Sequence, residues 1–319
     1  MITHDDSTER ASGNHFDPVL LPLSRAEAAH LVRLSLEAAT TLGLTGRYDG
    51  RGALSLQRTP TAAGPPGKAP PLQRFEAGLT NLARLVADER PDHWPRLVGE
   101  HFERLVDVLR NGFAPRPADP QTELIQRLAT KDSLDPRVVG AAPEFVPGLL
   151  SVPATSSDGA ITMYFDPESD LGLTWPEAES YGLRNLRAMT DSVSYAAYDG
   201  THVAMISGSI FAASRALVLD TVLRESLHVE NPRYGVLVAM PVRDLLLVHV
   251  ITSLSAIPAL GMMLNLAGRS HATDPGPLSP WVYLVTSDGW QLATRAADEP
   301  GPGLSPRFLA LLHELTPAS

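Results

Sequence analysis

The sequence predicts an α+β fold of two lobes, in which helices pack on a largely antiparallel sheet. Helical and strand-like segments alternate without the regular β–α–β rhythm of a parallel sheet. Several pairs of short apolar segments are joined by turn dipeptides, Asp49-Gly50, Asp199-Gly200 and Asp288-Gly289, which indicate antiparallel hairpins. A Pro-rich linker at residues 59–73 interrupts the N-terminal half and is expected to be flexible.

The N-terminal half of the sequence predicts helices and one hairpin. Ser24 and Glu27 form a capping-box pattern that starts a helix ending near Gly43. The remaining elements are assigned from apolar spacing: strands at 44–48 and 53–57, and helices at 75–86, 94–109 and 122–130.

The second half contains longer apolar runs. Two of them, 235–240 and 245–251, are nearly continuous and are typical of central strands, with the turn 241–244 between them. The other predicted strands are 161–165, 192–198, 201–207, 281–286 and 290–294, and the predicted helices are 174–189, 211–227, 255–267 and 306–315.

The sequence predicts that the chain is divided into three segments. Residues 1–20 are polar and mixed in charge, so we expect a disordered leader. An N-terminal α+β lobe is predicted at 21–120 and a C-terminal α+β domain at 121–319, with the boundary placed loosely between 112 and 150, where prolines punctuate the chain.

The composition excludes several classes of protein. The 319 residues include no cysteine, which removes disulfides, thiolate metal sites and a cysteine nucleophile. The net charge is −10, and residues 151–319 hold 17 acidic against 9 basic residues, a balance of −8 that argues against a nucleic-acid partner. All cations except Lys68 and Lys131 are Arg, which is typical of a bacterial genome with a strong G+C bias.

No segment predicts secretion or a membrane span. The N-terminus lacks the apolar core of a signal peptide. The run from Leu245 to Gly268 has enough apolar length for a span, but it contains His249, Pro258 and Asn265 and divides into a strand and a helix. We therefore expect a soluble cytoplasmic protein.

An ordered set of features in the second half resembles the YtpQ-like family of uncharacterised bacterial proteins. These features are the helix start at Leu171–Thr174, the helix residues Leu183 and Asn185, the strand end at Val238–Pro241, Asp244, Tyr283 and Asp288-Gly289. The resemblance covers about 171–295 best and 75–110 more loosely. Val242 and Arg243 depart from the polar residues that the family often carries before the Asp of the turn. The resemblance implies a fold and no particular reaction.

The polar pair Arg243-Asp244 is the main candidate binding site. It follows a central strand, where a rigid scaffold can present side chains to a ligand. In the competing interpretation, Asp244 stabilises the backbone of its own turn and Arg243 pairs nearby. Asn185 and His101 are further candidates for a pocket near this turn, and for His101 a packed structural role is the alternative. The chain carries no nucleophile elbow, His-Glu-x-x-His helix or Gly-rich phosphate loop, so no catalytic residue, metal or cofactor is assigned.

These observations favour a non-enzymatic module that binds another protein or regulates it, with a chaperone or an immunity-type binder as special cases. The alternative is an enzyme or a small-molecule-binding protein with a pocket near Pro241–Asp244. The oligomeric state and the identity of the partner are left open.

Overall fold

The computed structural model describes residues 16–58, 74–111, 116–131, 134, 139, 142–157, 160–198, 200–294 and 303–316, and the linker predicted at 59–73 lies outside them. The internal contacts divide the chain into two compact units, Met1–Gly112 and Phe113–Ser319. Both contain helices and antiparallel sheet, so the α+β class is confirmed.

The first unit pairs helices with a three-stranded antiparallel sheet of order β1-β2-β3. Its elements are α1 (Arg25–Thr41), β1 (Leu44–Tyr48), β2 (Ala53–Arg58), β3 (Arg74–Gly78), α2 (Thr80–Ala87), a 3₁₀ turn (Pro91–His93) and α3 (Trp94–Asn111). The predicted capping box is present, because the Glu27 amide donates to Ser24 Oγ and Glu27 Oε2 accepts from the Ser24 amide. Leu31, Trp94 and Phe102 lie in the core that α1 and α3 share.

The end of the predicted leader belongs to this folded unit. Phe16 forms a β-bridge with Ser24, and the Asp17 carboxylate accepts hydrogen bonds from the amides of Val19 and Leu20. Leu20 is completely buried in the core. The disordered leader predicted over residues 1–20 therefore extends too far at residues 16–20, and its first 15 residues lie outside the described part of the chain.

One predicted helix begins too early. The apolar spacing predicted a helix over 75–86, but Arg74–Gly78 is a strand that pairs with β2, and the helix starts only at Thr80. The ladder to β2 pairs Ala77 with Leu54, and both of these side chains are buried. Tertiary pairing of this kind overrides a local helical pattern.

The second unit contains two antiparallel sheets. The larger has the order β13-β12-β10-β11-β9-β8, and in the smaller, β6 pairs with β4, β5 and β7. The strands are β4 (Ile125–Thr130), β5 (Glu144–Val146), β6 (Leu149–Ser157), β7 (Ala160–Met163), β8 (Ser192–Tyr198), β9 (Thr201–Ser207), β10 (Val236–Val242), β11 (Leu245–Val250), β12 (Val282–Thr286) and β13 (Gly289–Leu292). The helices are α4 (Pro120–Glu123), α5 (Pro167–Leu171), α6 (Trp175–Arg187), α7 (Ala256–Thr273) and α8 (Pro306–Leu315).

The larger sheet buries apolar side chains on both faces. Alternate residues of β10, such as Leu237 and Ala239, face α7 and α8, whereas Val238 and Met240 face the smaller sheet and the helical segment after β9. Burial on both faces explains why β10 and β11 are nearly continuous apolar runs in the sequence.

The helix predicted over 211–227 is irregular. It consists of a 3₁₀ stretch at Ala213–Val218, one α turn and a π turn at Val222–Ser226, and we call Ala213–Ser226 the mixed helix. Its Arg215 is 1% exposed, and Nε and Nη2 donate to the carboxylate of Asp191 at 3.0 and 2.9 Å. This ion pair fixes the mixed helix to the segment that leads into β8.

The short helix predicted over 122–130 is mostly a strand. Only Pro120–Glu123 is helical, and Ile125–Thr130 forms β4 along β6. Gln126 of β4 is fully buried, and its Nε2 donates to Ser151 Oγ at 2.9 Å. Helix α6 approaches β4 closely at Gly182, where an added Cβ would lie 2.8 Å from the Gln126 backbone nitrogen.

Within the described residues, no helix combines the length and the apolar character that crossing a membrane requires.

The contact at Gly182 predicts a specific loss of stability. We expect Gly182→Ala to lower the free energy of unfolding by about 1–3 kcal/mol, because backbone atoms of β4 would have to shift. Chemical denaturation measures this value.

Gly261→Ala is the matched control, since Gly261 lies in α7 with no atom within 4 Å of its added Cβ. Helix propensity should make this control neutral or more stable by up to about 1 kcal/mol. Equal effects of the two substitutions would contradict the close approach of α6 to β4.

Candidate functional site

The turn that carries the predicted pair connects two central strands. Arg243 and Asp244 lie between β10 and β11, next to an irregularity in the ladder between Ala239 and Val242. The Arg243 amide donates to the Gly276 carbonyl at 2.9 Å, and its own carbonyl accepts from the Ala213 amide at 3.1 Å. The backbone of the turn is thus held between the mixed helix and the segment after α7.

The two side chains of the pair behave differently. Asp244 is exposed and forms no ion pair with any described residue. Arg243 is half-buried, and its Nε is buried without a hydrogen-bond partner among the described residues. An added Cβ at Gly276 would lie 2.6 Å from Cδ of Arg243, so the aliphatic part of this arginine packs directly on that glycine.

A second arginine lies near Arg243. Arg127 of β4 donates from Nη1 to the Ile210 carbonyl at 3.5 Å, and its Cζ lies 5.5 Å from the centroid of the Phe211 ring. Burial, together with the positive charge of Arg243, lowers the pKa of Arg127 to about 10. Sequence reasoning missed Arg127, because 115 intervening residues separate it from Arg243 and no motif links them.

Asn185 supports the fold. It lies on α6, and its Nδ2 donates to the carbonyls of Gln121 and Leu124 at 2.9 and 2.8 Å. These bonds tie the connection between α4 and β4 to α6. The hydrogen bonds of Asn185 within the described part of the chain are to these carbonyls and not to the Arg243-Asp244 turn, so the placement of Asn185 in a pocket there stays a prediction.

His101 belongs to the other unit. It lies on α3, half-buried, with its ring at an edge-to-face angle to Phe102 and a centroid distance of 5.5 Å. Burial lowers the pKa of His101, and the charge of Arg104 lowers it further. The contacts of its ring are those of a packed helix residue.

His249 is a buried histidine of β11. Its Nδ1 lies 2.7 Å from the carbonyl oxygen of His202 on β9, which identifies Nδ1–H as the donor. Its Nε2 is buried without a partner among the described residues. Burial lowers the pKa of His249, although the hydrogen bond to His202 acts in the opposite direction.

The same hydrogen bond reveals the orientation of the β9 backbone. Because the His202 carbonyl points toward β11, the residue opposite His202 on β8, Ala197, is not hydrogen-bonded to it. Hydrogen-bonded and non-hydrogen-bonded pairs alternate along an antiparallel ladder, so the backbone groups of Val193, Tyr195 and Ala197 all point away from β9.

Strand β8 thereby presents a free edge. In the described part of the chain, no strand lies beyond β8 and no group pairs with its outward amides and carbonyls. Two large side chains of β8 are exposed, Tyr195 at 60% and Tyr198 at 70%. The sequence predicted this hairpin but carried no signal that β8 would be the outermost strand.

Comparisons with family models, with curated proteins and with solved structures found no match. The resemblance to YtpQ-like proteins therefore stays a prediction.

The buried state of His249 predicts a loss of stability in mild acid. Its pKa in the folded chain lies below the ordinary value of 6.5, so the unfolded chain binds more protons as the pH falls through 6.5. The free energy of unfolding should be highest above this value and fall on acidification, by at most about 1.4 kcal/mol per pH unit for one proton.

Denaturation of the wild type, His249→Gln and His313→Gln at pH 7.5 and 5.5 measures this contribution. His313 is exposed on α8 and serves as the control. We expect His249→Gln to reduce the loss between the two pH values and His313→Gln to retain it. An unchanged loss in His249→Gln would assign the pH dependence to other groups.

Proposed function

We propose that this protein is a non-enzymatic binding module that adds an extended segment of another protein to its larger sheet at β8. The observation that carries the proposal is the row of outward backbone groups at Val193, Tyr195 and Ala197, which no described residue satisfies. Main-chain hydrogen bonds supply the affinity in strand addition, and side chains beside the edge supply the specificity.

The strand lacks the features that usually protect a sheet edge. Ser192–Tyr198 contains no proline and no charged residue, and it spans seven residues. The opposite edge, β13, has only four residues, and a bridge between Thr294 and Leu304 follows directly beyond it. Of the two edges, β8 is therefore the one suited to accept another strand.

The two exposed tyrosines provide side-chain contacts for the incoming segment. Tyr195 shares a face of the sheet with Val193, whereas Tyr198 is offset by three residues and lies on the other face. One tyrosine flanks the edge on each side, and tyrosine gives large contact area at a low cost in side-chain entropy. Helix α7 packs on β9 to β12, the four inner strands of the sheet.

The charge favours a basic segment of a different protein over a second copy. Residues 113–319 hold 22 acidic against 13 basic residues, and the whole chain has a net charge of −10. Two copies would repel each other, whereas Lys or Arg residues flanking an uncharged extended core would be attracted. The Arg-rich composition is typical of a bacterial genome with a strong G+C bias, and a bacterial cytoplasmic setting is part of the proposal. A chaperone or an immunity-type binder is a special case of this proposal.

The partner can be identified by cross-linking from the edge. A photoreactive phenylalanine analogue in place of Tyr195 should capture one specific protein in cells, whereas the same analogue at Ile257 on α7, 48% exposed, should not. The captured region, made as a synthetic peptide, should bind the purified chain. Capture of the same protein from both positions would contradict a site at β8.

Two substitutions of Ala197 test the hydrogen bonds directly. Ala197→Pro removes an outward N–H without breaking the ladder to β9, and it should weaken peptide binding at least about ten-fold. Ala197→Ser keeps the N–H and should bind like the wild type. Equal binding by the two variants, or self-association of the wild type that Ala197→Pro abolishes, would overturn the proposal.

A further inference from the structure

One apolar row of the larger sheet ends in a small polar side chain at the β8 edge. On the face that α7 and α8 cover, this row crosses β10, β11, β9 and β8 through Ala239, Leu247, Met205 and Ser194. Ala239 and Leu247 are completely buried, Met205 is half-buried and Ser194 is exposed. No strand in the described part of the chain follows Ser194 in this row. Met205 therefore stays partly exposed at the end of a row that is otherwise buried.

The cover on this face is lost along β9 toward the C-terminal end of the strand. Thr201 and Val203 are buried, whereas Met205 and Ser207 are only half-buried. Ser194 lies opposite Met205 on β8 and is too small to cover it. We call Ser194, Met205 and Ser207 the open strip. It lies beside the N-terminal half of β8, directly at the free edge.

The other face of the β8 edge is already covered by its own side chains. There, Val193 and Tyr195 lie opposite Ile206 and Ala204 on β9, and both of these inner residues are buried. Val193 packs against the core to which Ile206 and Ala204 belong. The missing apolar cover is thus confined to the face of Ser194.

We propose that the segment added at β8 carries a large apolar residue, such as Leu or Phe, beside Ser194. This inference rests on the proposed function, because it concerns the same edge. The backbone groups of Ser194 point toward β9, so beside an antiparallel segment it forms a non-hydrogen-bonded pair, in which the side chains lie closest. A long side chain opposite this small serine can reach Met205, and methionine adapts its shape to large apolar partners.

Synthetic peptides with one guest residue test the inference. Each peptide is a Thr-rich strand with two Lys residues at each end and Thr, Leu or Phe at its centre. The full chain is titrated with each peptide at constant ionic strength, and the amide resonances of β8 are followed by NMR. Burial of the guest side chain against Met205 should make the Leu and Phe peptides bind at least about ten-fold more tightly than the Thr peptide.

Variants at Met205 assign this preference to the open strip. Met205→Thr removes the apolar side chain and should make the Leu and Thr peptides bind nearly alike. Met205→Leu keeps an apolar side chain of similar volume and should retain the preference. Met163→Thr is the matched control, since Met163 is a half-buried strand residue of the smaller sheet, and it should also retain the preference.

Ala197→Pro separates this inference from the proposed function. It should weaken the binding of all three peptides alike, because it removes a backbone donor and leaves the open strip intact. Unchanged binding in Ala197→Pro, or no binding of any peptide to the wild type, would overturn the proposed function and this inference with it.

Three results, each with weaker binding in Ala197→Pro, would overturn the inference alone. These are equal affinities of the wild type for the Leu and Thr peptides, a preference for Leu that Met205→Thr retains, and a preference that Met163→Thr loses to the same extent as Met205→Thr.

Discussion

The second unit depends on the buried ion pair between Asp191 and Arg215. The Arg215 guanidinium donates to both oxygens of Asp191 and also to the carbonyls of Leu186 and Arg187 at the end of α6. The hydroxyl of Ser226 in the π turn donates to the same carboxylate. One carboxylate and one guanidinium thereby join α6, the mixed helix and the entry into β8. All three guanidinium nitrogens and both carboxylate oxygens form hydrogen bonds. Removing either side chain would leave the other charge buried and lower the free energy of unfolding by about 3–5 kcal/mol.

The same ion pair lies next to the proposed edge and to the mixed helix that contacts the Arg243 turn. Asp191 immediately precedes β8, so the pair sets where the free edge begins and how it meets the rest of the sheet. The mixed helix starts at Ala213, whose amide holds the Arg243 carbonyl, and Arg127 contacts the residues just before it. The π turn at the other end of the mixed helix contributes the Ser226 hydroxyl to the Asp191 carboxylate.

Local signals in the sequence predicted much of the fold. Capping boxes, turn dipeptides and apolar runs located most helices and hairpins, because each is decided by neighbours in the chain. The strands Arg74–Gly78 and Ile125–Thr130 were assigned to helices, since pairing with distant strands decided their structure. The candidate turn at Arg243 was predicted, but its relation to Arg127 was not. That proximity, like the outer position of β8, is a property of the assembled sheets and leaves no local pattern.

Strand addition at β8 requires a free edge with outward backbone groups. Amide hydrogen exchange of the isolated protein, read residue by residue by NMR, tests it most directly. The amides of Val193, Tyr195 and Ala197 should exchange fast, those of Ser194 and Ala196 slowly, and the fast set should become protected when the partner segment binds. Slow exchange of the outward amides in the isolated chain would show that the edge is already covered and would contradict strand addition at β8.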